Sequence, residues 1–256
     1  MHLTRFTPAR RQAFVGYDGD AAHDFFERVE HLSKRLHIEV TGLENLPNGR
    51  ALLVANHAFG WDIVFAMSAI RHHTGRPVFA LGEHLWWRIP WLRRLASAVG
   101  TVDGTPENTD RLLSHDELVV VMPGGLREAV KPRQLRYRLL WGERYGFIRA
   151  AIRNQAPLVP VAAIGADDWF DFEGDAVARG KRWLRFSGLP IPKPSRLLPI
   201  PHYRPLRYVI GEPIQPQAAR DRECDPEVVK RLRREVEGAL YELIDDALAK
   251  RAGVAI

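Results

Sequence analysis

The sequence predicts a single α/β domain with a mixed, mostly parallel β-sheet flanked by helices. Four short apolar runs of strand length, bounded by turn residues, lie at residues 51–55, 77–81, 117–122 and 156–163. Segments with helical spacing of apolar residues separate these runs, an alternation typical of parallel sheets. Two of the runs end abruptly in polar or glycine-rich turns, at the strand ends where open α/β sheets bind their ligands.

Length and composition are those of a folded protein with a basic surface. The chain has 256 residues, of which 46 % are apolar, enough for one large α/β domain. We expect a helical segment at residues 1–35 and one main domain at 36–256, because no repeat or low-complexity linker divides the latter. The net charge of +6 favours anionic partners, whether lipid headgroups, phosphate-bearing substrates or nucleic acid.

The number of cysteines and the hydropathy of the chain bear on the cellular compartment and on how the protein could contact a membrane. Cys224 is the sole cysteine, which excludes an intrachain disulfide and fits a reducing compartment. The N-terminus lacks the pattern of a secretory signal, and no apolar run approaches the ~20 residues that span a bilayer. A membrane contact would therefore be made from the surface.

The first predicted elements are a helix and a strand. Residues 21–37 have helical spacing of apolar side chains, which predicts an amphipathic helix that packs on the core, with a membrane anchor as the alternative. A short strand follows at 37–40, and a turn at 43–49. The apolar side chains of the helix are Phe25, Phe26, Val29, Leu32 and Leu36.

The apolar run at residues 51–55 ends in a polar motif. Asn56 and His57 follow the predicted strand, and Asp62 stands at the start of a predicted helix over residues 63–70. A tight strand-to-helix turn would bring Asp62 onto the His57 ring, fixing one tautomer and leaving the other nitrogen free to accept a proton. Since the motif holds no Ser or Cys, such a base would activate a substrate hydroxyl or water. The alternative is a helix-capping Asp beside a structural His.

Residues 85–99 combine tryptophan, leucine and arginine. This mixture suits a bilayer interface or an acyl-chain pocket, while a helix that simply covers the core is the plain alternative. Stacking on single-stranded nucleic acid is a third and weaker interpretation. The residues concerned are Leu85, Trp86, Trp87, Arg88, Ile89, Trp91, Leu92, Arg93, Arg94 and Leu95.

A second motif follows the strand at residues 117–122. A loop at 100–108 that carries Asp103 and a short helix at 109–113 precede this strand. Adjacent glycines after it would let the backbone approach a ligand and present N–H groups to an anion or oxyanion; an ordinary turn with a surface ion pair is the alternative. The motif reads Pro123-Gly124-Gly125-Leu126-Arg127-Glu128.

The remaining elements complete the sheet and its outer layer. A basic run at 131–138 is interpreted as a solvated face, and residues 141–153 as a helix. The prolines in the strand at 156–163 indicate an edge or a bulge. Residues 167–205 form a long excursion, interpreted as a lid or acyl-binding flap, before a last strand at 206–210. A final helix starts at Asp225 and Pro226, its cap and first residue.

The two motifs, in this order, resemble those of the glycerolipid and lysophospholipid acyltransferase family, which includes bacterial 1-acylglycerol-3-phosphate acyltransferases. The resemblance spans about residues 36–215 and includes Pro160. Phe59 stands where the family's first box commonly has Ser, and Gly124 replaces a Glu of the second box. The Pro-Gly-Gly-x-Arg-Glu form and the segment 141–147 resemble the subgroup near diacylglycerol acyltransferases and phytyl ester synthases.

The resemblance implies an α/β acyltransferase with His57 as general base and Asp62 as its orienting partner. It implies transfer of a fatty acyl group from acyl-CoA or acyl carrier protein to a lipid hydroxyl, and this reaction needs no metal or further cofactor. The expected location is the cytoplasm, at the inner face of the membrane. Residues 100–104, where the family usually offers an Arg for a glycerol phosphate, hold Asp103 and no Arg, which favours a neutral alcohol. The expected substrate-binding residues are Asn56, Gly124, Gly125, Arg127, Glu128 and Pro160.

Two other functions stay open from the sequence. A thioesterase or lipid hydrolase would use the same dyad on water, and a non-enzymatic basic protein would bind membranes through the tryptophans and arginines of residues 85–99. Nucleic acid is not expected as a partner, because no recognised nucleic-acid motif is present. A metal is not expected either, since His72 and His73 are adjacent and no Cys–His cluster occurs. The oligomeric state does not follow from the residues.

Overall fold

The computed structural model describes residues 16–58, 62–87, 90–169 and 205–253, apart from the side chains of Leu85, Trp86 and Leu92. The strands are β1 (Glu39–Thr41), β2 (Ala51–Ala55), β3 (Val78–Gly82), β4 (Thr101–Asp103), β5 (Leu118–Val121), β6 (Leu158–Ile164) and β7 (Arg207–Ile210). The α-helices are α1 (Gly19–Arg35), α2 (Ile63–Thr74), α3 (His84–Trp87), α4 (Pro90–Ala98), α5 (Pro106–Ser114), α6 (Gly125–Ala129), α7 (Gly146–Asn154) and α8 (Pro226–Arg251). Short 3₁₀ turns lie at Leu43–Asn45, Arg133–Leu135, Ala166–Asp168 and Arg220–Cys224.

The strands form one seven-stranded sheet in the order β1-β7-β6-β2-β5-β3-β4. Strands β6, β2, β5, β3 and β4 run parallel, while β7 pairs antiparallel with β6 and parallel with β1. This confirms the predicted single α/β domain with a mixed, mostly parallel sheet. The carboxyl ends of β2 and β5, where both motifs begin, lie side by side at one edge of the sheet.

Both faces of the sheet are buried, which explains the unbroken apolar runs. Along β2, Leu52 and Val54 face one core with α5, α7 and α8, and Ala51, Leu53 and Ala55 face the other with α1 and α2. Helix α1 is capped by Asp18, whose side chain accepts the N–H of Asp20 at 3.0 Å. Its Phe26 and Val29 are buried, as expected of a helix packed on the core.

The structure corrects two element boundaries. The loop expected at residues 100–108 contains strand β4, and the helix expected at 141–153 starts only at Gly146. Gly142 has a left-handed φ of +54°, which interrupts helical geometry after Trp141. The buried Trp141 ring instead packs edge-on against Phe147, with ring centroids 5.3 Å apart.

Strand β6 is internal, so the expectation of an edge strand is wrong, whereas a bulge is present. Val161 pairs with Ile210, but the bridge before it joins Leu158 to Ile214, so the partner segment carries one additional residue. Pro160 lies within this irregularity, where its carbonyl accepts the N–H of Gly211 at 2.9 Å. A proline is tolerated here because the regular ladder with β7 begins one residue later.

In the tryptophan-rich segment, the described residues include helices α3 and α4. Ala96 of α4 is buried, whereas Trp91 is 69 % and Leu95 50 % exposed. In the expected excursion at 167–205, residues 170–204 lie outside the described part of the chain, and so does Phe59. Among the described helices, none combines the length and the apolar composition needed to cross a bilayer.

Candidate active site

His57 lies just beyond the carboxyl end of β2. Its side chain is largely buried, at 8 % exposure, and it lines an apolar cavity described below. Asp62 immediately precedes α2, and its side chain is fully buried. Nδ1 of His57 lies 3.5 Å from Oδ1 of Asp62. The two predicted residues therefore lie together in the structure.

Asp62 does not cap α2 with its side chain. Its Oδ2 instead accepts the N–H of Ala58, the residue after His57, at 3.3 Å. Its backbone carbonyl accepts the hydroxyl of the buried Tyr208. Burial, and then the charge of Asp62, raise the pKa of Tyr208 well above its usual value, so Tyr208 stays a neutral donor. Among the described residues, Nδ1 of His57 and Oδ1 of Asp62 have no hydrogen-bond partner, and the 3.5 Å contact between them is the polar contact that links the two side chains.

Glu128 is fully buried and accepts two backbone N–H groups. Its Oε1 accepts from His57 at 2.7 Å and its Oε2 from Leu140 at 2.8 Å. A Cβ on Gly124 would lie 2.1 Å from Oε2 of Glu128, so the missing side chain makes room for this carboxylate. The glycine thus lets the second motif reach back to the first.

Lys131 belongs to the basic run that was interpreted as solvated, and here that interpretation is wrong. The lysine is buried, and its Nζ lies 2.8 Å both from the carbonyl oxygen of His57 and from Oδ1 of Asp167. Oδ2 of Asp167 accepts the N–H of Tyr137 at 2.6 Å. Burial raises the pKa of both Glu128 and Asp167, and Lys131 opposes the shift at each.

Asn56 joins β2 to β6. Its side-chain amide donates to the carbonyl of Ala163 at 2.9 Å, and its oxygen accepts the N–H of the same residue at 2.7 Å. The side chain is therefore used within the protein and is buried. It holds the backbone just before His57 against the neighbouring strand.

A cavity of about 600 Å³ opens beside His57. Most of its lining is apolar, and charged side chains stand among the lining residues of α3, α7 and the segments before them. A cavity of this volume, with an apolar lining and a few polar groups, is typical of a site that binds a small molecule or a lipid chain. The apolar lining includes Phe25, Phe26, Ile63, Val64, Met67, Leu81, Leu95, Val99, Met122 and Phe147, and the ionisable lining Glu83, His84, Glu143, Arg144 and Arg149.

Gly125 also lines the cavity, with a left-handed φ of +52°. A Cβ there would lie 2.3 Å from Oε1 of Glu83 and 2.5 Å from Nη1 of Arg144, so two charged side chains converge over this glycine. Its own N–H donates to the carbonyl of Met122 at 3.0 Å. In this arrangement the Gly125 N–H is engaged, which disagrees with the oxyanion role expected for it.

Two other expected site residues lie apart from this cavity. Arg127 is exposed, next to Gly142, and Pro160 is buried in β6 against Gly211. Neither belongs to the cavity lining in the described part of the chain. The structure thus brings His57 and Gly125 to the cavity lining, with Asp62 buried next to His57, and Asn56, Gly124 and Glu128 lie outside the lining.

The arrangement can move a proton at the edge of an apolar pocket. With Nδ1 directed to Asp62, Nε2 is the nitrogen left for a substrate. Lys131, Asp167 and Tyr208 were not predicted, because burial of a charged or phenolic side chain has no local pattern in sequence. The one available signal for Lys131 is its position three residues after Glu128, since side chains at this spacing would share one face if the helix continued.

Comparison with known proteins places the chain among acyltransferases. A family model described as Acyltransferase matches residues 37–164, half of the chain. An uncharacterized protein of Mycobacterium tuberculosis is 31 % identical over 227 residues, covering 81 % of this chain and 62 % of the relative. The human protein named DGAT1/2-independent enzyme synthesizing storage lipids is 27 % identical over 220 residues, covering 81 % of this chain and 60 % of that protein.

The chain is also similar to a solved structure. The 1-acyl-sn-glycerophosphate (LPA) acyltransferase PlsC from Thermotoga maritima has a TM-score of 0.49 and 19 % identity, over 89 % of this chain and 85 % of that chain. The chain spans less than two thirds of the length of the curated relatives described above. The family model covers both motifs, from β1 through the end of β6. The chain belongs to the acyltransferase family.

Proposed function

We propose that the protein is an O-acyltransferase that moves a fatty acyl group from acyl-CoA or acyl carrier protein to the hydroxyl of a lipid acceptor. The observation that carries the proposal is the His57–Asp62 pair at the edge of the apolar cavity. Membership of the acyltransferase family supports the same reaction class. A relative named for storage-lipid synthesis supports a lipid acceptor.

The reaction needs one base and no protein nucleophile. Nε2 of His57 takes the proton of the acceptor hydroxyl, and the oxygen attacks the thioester carbonyl carbon. The tetrahedral intermediate collapses with cleavage of the carbon–sulfur bond, and the imidazolium returns its proton to the leaving thiolate. Asp62 holds the imidazole and stabilises the positive charge that forms on it.

A neutral acceptor, such as a mono- or diacylglycerol or a long-chain alcohol, fits this cavity better than a lysophospholipid. Arg144 lines the cavity, but its Nη1 donates to the carbonyl of Pro123 at 2.7 Å. Two carboxylates, Glu83 and Glu143, also line the cavity and oppose an anionic group. Arg149 is the remaining arginine among the described lining residues, and we assign it to phosphate groups of the donor.

We place the protein on the inner face of a membrane in the cytoplasm. Trp91 is exposed on α4 beside the exposed Arg93 and Arg94, a combination that suits the headgroup region. Sedimentation with vesicles of phosphatidylglycerol tests this. We expect Trp91→Ser to lower the bound fraction and Leu135→Ser, a partly exposed leucine elsewhere, to leave it unchanged. Equal binding of both variants would contradict α4 as the contact.

The test of the reaction is thiol release from a long-chain acyl-CoA with a panel of acceptors. The panel contains lysophosphatidic acid, other lysophospholipids, mono- and diacylglycerol and a long-chain alcohol, and products are identified by mass. We expect release that depends on one acceptor and a loss of nearly all release in His57→Ala, with the fold retained. If release fails with acyl-CoA, the panel is repeated with acyl carrier protein. More than a few per cent of activity in folded His57→Ala would contradict the dyad.

A further inference from the structure

We propose that Lys131 is a positioning residue for His57, acting with Glu128 and Asp167 as a buried clamp on the histidine main chain. We call these three residues the backbone clamp. The inference rests on the proposed role of His57 as general base. It assigns Glu128 to the support of the base, where the sequence had placed it with the substrate.

The clamp holds both main-chain polar groups of His57. Glu128 accepts its N–H at 2.7 Å, and Lys131 donates to its carbonyl at 2.8 Å. His57 lies past the last residue of β2, Ala55, so the sheet ladder ends before it. Side chains therefore make the bonds that a neighbouring strand makes further back along β2.

The charges of the clamp are buried and individually partnered. The side chains of Lys131 and Asp167 are 3 % and 4 % exposed, and their charged atoms lie 2.8 Å apart. Glu128 gains a second N–H donor in Leu140, and Asp167 one in Tyr137. Since apolar side chains of similar volume stabilise a core as well as a buried ion pair does, we assign this cluster to fixing a position.

The clamp connects His57 to elements that do not carry Asp62. Glu128 belongs to α6, Lys131 follows it, and Asp167 lies in the 3₁₀ turn after β6, whereas Asp62 adjoins α2. A shift of the His57 peptide would thus move its ring relative to both Asp62 and the cavity. Misplacement of a catalytic group by about 1 Å costs on the order of 100-fold in rate.

Clamp residues do not contact the cavity. Neither Glu128, Lys131 nor Asp167 lines it within the described ranges. Loss of the clamp is therefore expected to lower kcat with little change in KM for the thioester, whereas loss of a substrate-binding group would raise KM.

The experiment compares Lys131→Met, Lys131→Arg and Glu128→Gln with wild-type protein by kcat and KM, after circular dichroism has established the fold. We expect Lys131→Met and Glu128→Gln to lower kcat about 10- to 100-fold with KM changed less than about threefold. Lys131→Arg keeps a cation and is expected to retain more kcat than Lys131→Met. Arg153→Met is the control, because it removes ion pairs to Asp110 and Glu223 away from His57 and is expected to leave kcat unchanged.

A second measurement needs no variant. Hydrogen exchange at the His57 amide of the wild-type protein is expected to be strongly protected, because the N–H is bonded to a buried carboxylate. Exchange as fast as in an exposed loop would overturn the clamp, and so would wild-type kcat in folded Lys131→Met and Glu128→Gln. Loss of transfer in His57→Ala with unchanged kcat in the Lys131 variants overturns the clamp alone. Full activity of folded His57→Ala overturns the proposed function and the clamp with it.

Discussion

Asp62 contacts the Ala58 backbone with one carboxylate oxygen and faces His57 with the other. Oδ2 accepts the N–H of Ala58 at 3.3 Å, while Oδ1 lies 3.5 Å from Nδ1 of His57. Under the proposed function, the same side chain that bonds to the Ala58 backbone also orients the imidazole of His57. A distance of 3.5 Å is long for a hydrogen bond, and such contacts commonly shorten when substrate binds.

Asp62→Asn tests this orienting role. An amide in this place can retain the bond from Ala58 but carries no charge to stabilise the imidazolium. We expect kcat to fall on the order of 10²- to 10⁴-fold, with the protein still folded. Steady-state kinetics with the acceptor identified above measures the effect. Wild-type kcat in folded Asp62→Asn would show that His57 works without this partner.

Asn56→Ala tests the link between β2 and β6. The change leaves the buried N–H and carbonyl of Ala163 without their side-chain partner. We expect a loss of about 2–4 kcal/mol in the free energy of unfolding, measured in urea. Asn45→Ala is the control, since it removes one bond, to the carbonyl of Ile210, at a partly buried site and is expected to cost less. An equal or larger loss at residue 45 would contradict the account of Asn56.

The dependence of stability on pH follows from the buried carboxylates. Burial raises the pKa of Asp167 and of Glu128 above their ordinary values of 3.8 and 4.5. In the window above those values the folded state holds more protons than the unfolded state, so stability falls as pH rises through it. Asp167→Asn removes one titrating group. The unfolding free energy of wild type minus that of Asp167→Asn is therefore expected to decrease from pH 4 upward, and an increase would contradict the direction of the shift.

Val64→Phe tests the cavity as the acyl-chain site. Val64 is a partly buried residue of α2 that lines the cavity, so a larger side chain there reduces the space beside His57. We expect kcat/KM to fall more for long-chain than for short-chain acyl donors, by about 10-fold or more. Val228→Phe on α8, partly buried on the other face of the sheet, is the control and is expected to preserve the chain-length preference. An unchanged preference in Val64→Phe would place the chain elsewhere.

The sheet and the approach of His57 to Asp62 could be predicted because each follows from a local sequence pattern. The apolar run of β2 is buried on both faces, and the polar pair after it lies at the strand end as expected. Strand β4 was missed because three residues carry too little periodicity. The helix boundary after Trp141 depends on the left-handed Gly142, which an apolar pattern does not reveal.

The contacts that hold the site residues in place join residues that are far apart in the sequence. Lys131 stands in a basic run, and the sequence alone does not distinguish the one lysine that meets Asp167 in the core from neighbours that face solvent. The glycines of the second motif predicted a close approach of the backbone to a ligand. In the structure, Gly124 instead lies close to the side chain of Glu128. Pairings such as Asn56 with Ala163, 107 positions apart, follow only from the topology of the sheet.

The most direct test of the central claim is the product formed from acyl-CoA in the presence of a neutral lipid alcohol. The account predicts that the acyl group appears as an ester of that alcohol, that its formation matches thiol release, and that both are lost in His57→Ala. Thiol release accompanied by free fatty acid alone, across every acceptor and with either donor, would contradict acyl transfer and identify the protein as a hydrolase.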